Sequence, residues 1–355
     1  MGGPARFFVE APDEEAVILA LRWARERGVK VWVLGGGSNL LIADRGVDGL
    51  VLRIRDRGIA LQEMGSAVHV QAAAGEPWDS VVAHAVEQNL AGIECLSGIP
   101  GDTGAAPIQN IGAYGQDVSE SIARVRAVDR NSGEIVEFRV EECQFGYRDS
   151  IFKREARDRF VVTRLCMELK KNGPPSLRYA ELARAWEKSA PPGEKPTLSG
   201  IRDLVLKLRR GKSMVFDPSD ENHRSAGSFF MNPLLSPEDF KRASERIQAL
   251  CALGPDERIP IFPADHGKTK IPAAWLIEKA GFKKGIAKGR VGLSTRHALA
   301  IVNRGGASAA EIAEFAAHIR ASVFERFGIS LEPEPVMLGF EDAEMQALTS
   351  PLRAG

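Results

Sequence analysis

The stretch VKVWVLGGGSNLLIAD, residues 29–44, limits the possible folds more than any other part of the chain. An apolar run ends in three glycines, and after Ser38 and Asn39 the chain re-enters an apolar run, Leu40 to Ile42, instead of opening a helix. A doubly wound dinucleotide fold needs its glycine turn, at GxGxxG spacing, to lead into a helix whose N-terminus meets the pyrophosphate. Neither condition holds, which argues against an ordinary Rossmann unit. Gly35, Gly36 and Gly37 either take positive φ and turn successive N–H groups toward a phosphate, or simply make a tight turn. RGKS at 210–213 is not a P-loop, because Leu206 stands where the first glycine is required.

Around this stretch, strands often follow one another without a helix between them. Residues 5–10 read as a strand, and Asp13, Glu14 and Glu15 open an amphipathic helix that Gly28 ends. GLVLRI and AVHVQAAAG read as strands, and EPWDSVVAHAVEQNL as a helix with Pro77 in its first turn. This order favours an α+β architecture over a regular βαβ succession. The breaker clusters NGPPS and APPGEKP enclose a short helix-like piece, LRYAELARAWEKS, which reads as an exposed excursion. From Leu198 a new unit is expected: a helix to Arg210, an irregular stretch, a strand SFFMN and a helix from Pro237 to Leu253. A helix AAWLIEKAG, a strand HALAIVN and a long helix from Ser308 to Phe327 complete it. A chain of 355 residues is long enough for two or three such domains.

Charge and cysteine usage narrow the function classes. Lys plus Arg and Asp plus Glu both total 47, so no overall field favours nucleic acid or an anionic membrane, and an anionic ligand needs a local site. Cys95, Cys143, Cys166 and Cys251 are widely spaced and read as reduced thiols. The six histidines show no HExxH or similar spacing, so no metal is expected. No basic leader precedes an apolar stretch, and no apolar run approaches the ~20 residues of a membrane span, so a cytoplasmic protein is expected. No GxSxG elbow supports a hydrolase triad.

Four further motifs carry candidate chemistry. SGIPGDTGAAPIQNIGAYG, residues 97–115, is too long for a tight turn and nearly free of bulk, so its main chain can lie against a flat, extended ligand. FGYRDSIFK, 145–153, presents Arg148 either as a surface ion pair with Asp149 or as a fork for a carboxylate. LEPEPVML, 331–338, offers Glu332 and Glu334 as solvated acids or as a buried acid or acceptor. AGSFFMNP, 226–233, holds Ser228 between Gly227 and two phenylalanines, as a packed residue or as a proton donor in a water-poor pocket.

Taken with GGGSNLLIAD and AAWLIEKAGFKKG, these stretches occur in an order, spanning nearly the whole chain, that closely resembles the UDP-N-acetylenolpyruvoylglucosamine reductase (MurB) family. The resemblance implies a two-subdomain FAD-binding unit of the vanillyl-alcohol-oxidase (PCMH) type over 1–172, with subdomains about 1–56 and 57–172. It further implies an inserted loop or lid at 173–197, a substrate domain at 198–340 and a tail at 341–355. The implied activity is FAD-dependent reduction, by NADPH, of the enolpyruvyl ether of UDP-N-acetylglucosamine to UDP-N-acetylmuramate in a monomeric enzyme. Hydride passes from flavin N5 to the enolpyruvyl methylene, and the α-carbon is then protonated.

By family match Ser228 is the proton donor, Arg148 steadies the carboxylate, and Glu334 is its companion, either donating a hydrogen bond when protonated or orienting Arg148 or a water when ionised. The implied cofactor contacts are Gly35, Gly36, Gly37, Ser38, Asn39, Pro100, Gly101, Gly104, Ala105, Asn110, Gly112 and Ala113. Lys212, Asn232 and Tyr179 match substrate positions, Tyr179 being that of the long-loop subclass, where it folds over substrate; spacing alone reads it as a packing aromatic. Gly37, Ser38 and Asn39 stand where covalent relatives often carry a histidine, so non-covalent FAD is expected. The chain starts at GGPARFF, where members usually have a further threonine-containing segment near the flavin, and Lys279 stands where some carry glutamine.

Overall fold

The computed structural model describes residues 2–191, 193–251, 253, 257–350 and 352. It comprises two compact units: one from Ala5–Gly37 and Asp48–Phe216, the other from Met1–Pro4, Ser38–Val47 and Asp217–Gly355.

In the first unit, helix Glu14–Glu26 begins where the Asp13 carboxylate accepts the Ala16 amide at 2.8 Å, with two acidic residues in the first turn favouring the helix dipole. Its buried face is Val17, Leu21 and Ala24, of which Val17 and Leu21 lie with Leu52 and Ile54 in one apolar cluster. The associated three-stranded sheet has Val47–Ile54 between Ala5–Ala11 and Val31–Leu34. A larger antiparallel sheet runs Ile135–Arg139, Ile122–Asp129, Phe160–Lys171, Ala67–Ala73, Ile59–Met64, with Leu90–Ala91 also pairing with Phe160–Lys171. Helix Trp78–Glu87 buries Trp78, Val81, Val82 and Ala85 in the same core as Val70, Val125 and Leu165 of this sheet.

Helix Leu198–Gly211 belongs to this first unit, not to a new domain starting at 198. Its Ile201, Leu204 and Val205 pack with Cys95 and Leu182, the latter from helix Ala180–Ser189, and Arg202 grips Asp79 through two bonds of 2.6 and 2.8 Å. The change of unit falls at Phe216/Asp217.

The second unit is built around helix Ala309–Phe327, which Ser308 and Glu311 start with a capping box and Asp44 reinforces by accepting the Ala309 and Ala310 amides at 2.8 and 3.2 Å. Helices Pro237–Leu250 and Ala273–Lys279 and the antiparallel strands Ala287–Lys288, Val291–Leu293 and Ile301–Asn303 surround the same core. Strand Leu40–Ile42, expected with the first subdomain, pairs in parallel with Val336–Leu338 in this unit. The expected tail is also structured: residues Asp342–Thr349 form a helix whose Leu348 is buried in this core. The expected strand SFFMN makes only an isolated bridge, Phe230 to Pro333. The helix from Pro237 ends at Leu250, and Cys251 takes extended φ/ψ. No helix of the described residues is long and apolar enough to cross a membrane.

Candidate functional site

The two glycine-rich loops meet inside the first unit. Gly36 lies so close to Gly101 that a Cβ on Gly36 would stand 2.9 Å from the Gly101 Cα. Among the described residues, the amides of Gly35, Gly36, Gly37, Gly101 and Asp102 donate to no protein acceptor. Five unused donors on two touching glycine loops suit the oxygens of a pyrophosphate, so the residues present fit a dinucleotide such as FAD. Gly104 and Ala105, by contrast, donate to Ala74 and Asp102 carbonyls and serve the loop's own turn. Asn110 is buried at left-handed φ, with its side chain tied to the Gly146 carbonyl at 2.8 Å and the Ser119 amide at 3.1 Å. Its amide group is therefore a loop tie.

Arg148 sits at the tip of a turn closed by Gly146 and Asp149, with φ of 54°. A non-glycine residue there carries backbone strain, which the surrounding bonds must hold. Its guanidinium donates to the Asn110 carbonyl at 2.9 Å, to the Gly112 carbonyl and to the Asp117 carboxylate at 3.0 Å. Gly112 has no room for a side chain: a Cβ would overlap the Asp117 carboxylate and stand 2.7 Å from the Arg148 guanidinium. The surface ion pair with Asp149 does not form, because Asp149 takes Arg154 at 2.8 Å instead. Asp117 has no signal in the sequence that marks it as the partner, being one of many polar residues next to a loop.

Tyr179, at the N-cap of helix Ala180–Ser189, packs edge to face on Tyr114 at 5.8 Å between centroids. Burial raises the pKa of both phenols, that of Tyr114 to about 12, so both are neutral at ordinary pH. Lys212 lies 5.7 Å from the Tyr114 ring centre and forms two bonds of 2.7 and 2.9 Å to Glu181, a residue that spacing did not single out. Tyr179 thus packs as spacing alone suggested, and it shares a cluster with Lys212.

In the second unit, residues 229–231 run antiparallel to 332–334. The Phe229 carbonyl accepts the Glu334 amide at 2.9 Å, and Met231 donates to the Glu332 carbonyl at 2.9 Å. This places Ser228 one residue ahead of the Phe229–Glu334 pair. Phe229 and Phe230 are each 1% exposed and pack edge to face, while Ser228, after Gly227 at φ 73°, is half-buried. Glu332 is exposed and Glu334 half-buried; as residues two apart in an extended segment they share a face, so the difference comes from what packs against each rather than from alternation. Asn39 donates to the Glu334 carbonyl at 3.3 Å, tying the strand after the glycine loop to this acid. The Asn232 side-chain oxygen caps helix Ala273–Lys279 through the Ala273 amide at 2.9 Å. Lys279 pairs with Glu257 at 2.7 Å.

No cluster of three or more possible metal ligands occurs among the described residues. Burial pushes the Cys95 and Cys143 thiols up to about 12, leaving them protonated and inert at neutral pH.

An α+β unit whose paired glycine loops suit a dinucleotide, joined to a second α+β domain, is the class that this architecture defines. Residues 5–139 match the FAD binding domain family and residues 217–338 the C-terminal domain family of UDP-N-acetylenolpyruvoylglucosamine reductase. The chain is 48% identical over 342 residues to a UDP-N-acetylenolpyruvoylglucosamine reductase of Saccharopolyspora erythraea, covering 95% of this chain and 92% of that one. It is 46% identical over 341 residues to that of Thermobifida fusca, covering 96% and 94%. The crystal structure of UDP-N-acetylenolpyruvylglucosamine reductase (MurB) from Thermus caldophilus superposes with a TM-score of 0.63 at 24% identity, over 95% of this chain and 94% of that one, and supports the fold. The chain belongs to the UDP-N-acetylenolpyruvoylglucosamine reductase family.

Proposed function

We propose that this chain is an FAD-containing, NADPH-dependent oxidoreductase that reduces the enolpyruvyl ether of UDP-N-acetylglucosamine to UDP-N-acetylmuramate in peptidoglycan precursor synthesis. The observation that carries this reading is near-full-length identity of 46–48% to reductases of that name, with both family domains present. The free amides of Gly35, Gly36, Gly37, Gly101 and Asp102 would hold the pyrophosphate of non-covalent FAD. Held there, FAD would provide the hydride chemistry, with NADPH as reductant and the terminal methylene of the substrate as acceptor.

The chain's own groups then act on the charge this leaves behind. Arg148 receives the substrate carboxylate as negative charge builds on it, and its plane is already fixed by three acceptors, so little reorganisation is needed. Glu334 assists at the same carboxylate. Ser228 gives its hydroxyl proton to the α-carbon, in a setting that the buried Phe229 and Phe230 keep poor in water. Lys212, Tyr179 and Asn232 serve the UDP portion: Lys212 leaves Glu181 for the diphosphate, the ring of Tyr179 closes over it, and the Asn232 amide nitrogen remains available beyond its capping oxygen. The substrates are nucleotides of the cell interior, which supports a cytoplasmic site of action, and the reading takes the enzyme as a monomer.

The test is a visible spectrum of purified protein under anaerobic conditions. NADPH should bleach a flavin band, the enolpyruvyl nucleotide should restore it, and acid precipitation should release the colour into solution. Colourless protein, or a reduced flavin that the nucleotide leaves bleached, overturns the reading.

A further inference from the structure

We propose that helix Asp342–Thr349, which lies beyond the matched reductase domain, clamps the segment carrying Glu334, and that Arg320 is the positioning residue through which it does so. Arg320 is 2% exposed, yet no carboxylate hydrogen-bonds it among the described residues. A buried cation needs compensation, and here a ring of neutral oxygens supplies the hydrogen bonds, with the Glu332 carboxylate near enough to add charge stabilisation. Nε donates to the Leu331 carbonyl at 2.9 Å and Nη2 to Ser330 Oγ at 2.9 Å. On the other side, Nη1 donates to the Ala347 carbonyl at 3.2 Å and Nη2 to the Ser350 carbonyl at 2.6 Å.

The last carbonyls of a helix have no partner within it and carry the negative end of its dipole. A planar fork placed there meets that need and still has donors for a second chain segment. The second segment is the one that runs directly into Glu332, Pro333 and Glu334. Arg320 thus holds residues 330–331 from one side, while Phe229 and Met231 hold 332–334 from the other. The clamp is itself anchored: Leu348 is buried in the core, and Arg45 binds Glu344 at 2.6 Å and Glu341 at 3.4 Å at the helix start. The role of Glu334 in turnover rests on the function proposed above; the mechanical link does not.

Two variants test it, Arg320→Lys and a chain ending at residue 340. Lysine keeps the charge but loses the planar fork whose three separate nitrogens reach the two segments. Each variant should lower kcat by about tenfold or more with little change in KM, as expected when a reacting group is displaced by a fraction of an ångström. Hydrogen exchange should quicken at the Glu334 and Met231 amides while helix Ala309–Phe327 and strand Val291–Leu293 keep their protection. Wild-type exchange at those two amides overturns the clamp, as does uniform loss of protection across the unit, which would make Arg320 a plain stability residue. An unchanged kcat with faster exchange would remove its bearing on turnover. If the wild-type chain does not turn over the enolpyruvyl nucleotide, the proposed function fails, and exchange still decides the clamp.

Discussion

Arg148 and Ser228 are held in opposite ways. Arg148 has a strained backbone and a guanidinium committed to Asn110, Gly112 and Asp117, with its side chain 16% exposed. Ser228 is placed only through its backbone neighbours, and its hydroxyl makes no hydrogen bond among the described residues. The difference fits the tasks proposed for them. A permanent charge is useful only if its direction is fixed beforehand, whereas a hydroxyl that must part with its proton is best left uncommitted.

The sharpest way to break this contrast is Ser228→Ala. Turnover of the enolpyruvyl nucleotide should fall by about a thousandfold, in the middle of the usual range for loss of a general acid, while NADPH still bleaches the flavin at close to the wild-type rate. The two half-reactions are separable by stopped-flow absorbance. Near-normal turnover removes Ser228 from the acid role and leaves it a packing residue.

Arg148→Lys addresses the other side. Lysine retains the charge but not the planar fork that spans two carbonyls and a carboxylate, so turnover should fall by about a hundredfold although no charge is lost. Asp117→Asn, which removes one of the three ties, should cost about tenfold. If the lysine variant turns over like the wild type, charge alone suffices and the ordered plane is incidental.

How far these arrangements were legible in the sequence depends on where their cause lies. The glycine loops could be read because glycine announces positive φ and close approach, and Gly36 against Gly101 is such an approach. Helix Glu14–Glu26 could be read because its cap, acidic turn and apolar face are all local. Asp117 could not, since its meaning comes from a residue 31 positions away. Nor could the membership of Leu40–Ile42, whose partner strand is Val336–Leu338. The boundary expected at Leu198 was misplaced because an amphipathic helix shows that it packs but not on what, and here it packs in the first unit. Ser228, Arg148 and Glu334 were named from the family resemblance; local pattern left each of them with two readings.

Gly36→Ala probes the shared floor beneath this chemistry. With the new Cβ 2.9 Å from the Gly101 Cα, the two loops must part, and overpacking of this kind costs about 1–3 kcal/mol. FAD should then bind about tenfold more weakly, measurable by flavin fluorescence titration, and adding excess FAD should restore turnover. Unchanged affinity would mean that the loops accommodate the methyl group without moving their amides.

The smallest effect expected is at Glu14, which contrasts with Arg148 as an arginine tie with no catalytic task. Arg126 donates to the Glu14 carboxylate at 3.0 and 2.9 Å, and Thr163 at 2.7 Å. The Arg126 bonds lead in holding this carboxyl below its ordinary range, against the opposing effect of burial. Folding therefore favours the ionised form. The resulting stability is fully present above the unfolded value of about 4.3 and is lost as pH falls through the lower folded value. Because both partners are partly exposed, Glu14→Gln should cost only about 1 kcal/mol at neutral pH, or roughly 2–4 °C in Tm. The gap from wild type should narrow as pH drops below about 4. A gap that persists undiminished in acid would show that the glutamine disturbs packing rather than charge, and kcat should be unaffected at every pH where the protein is folded.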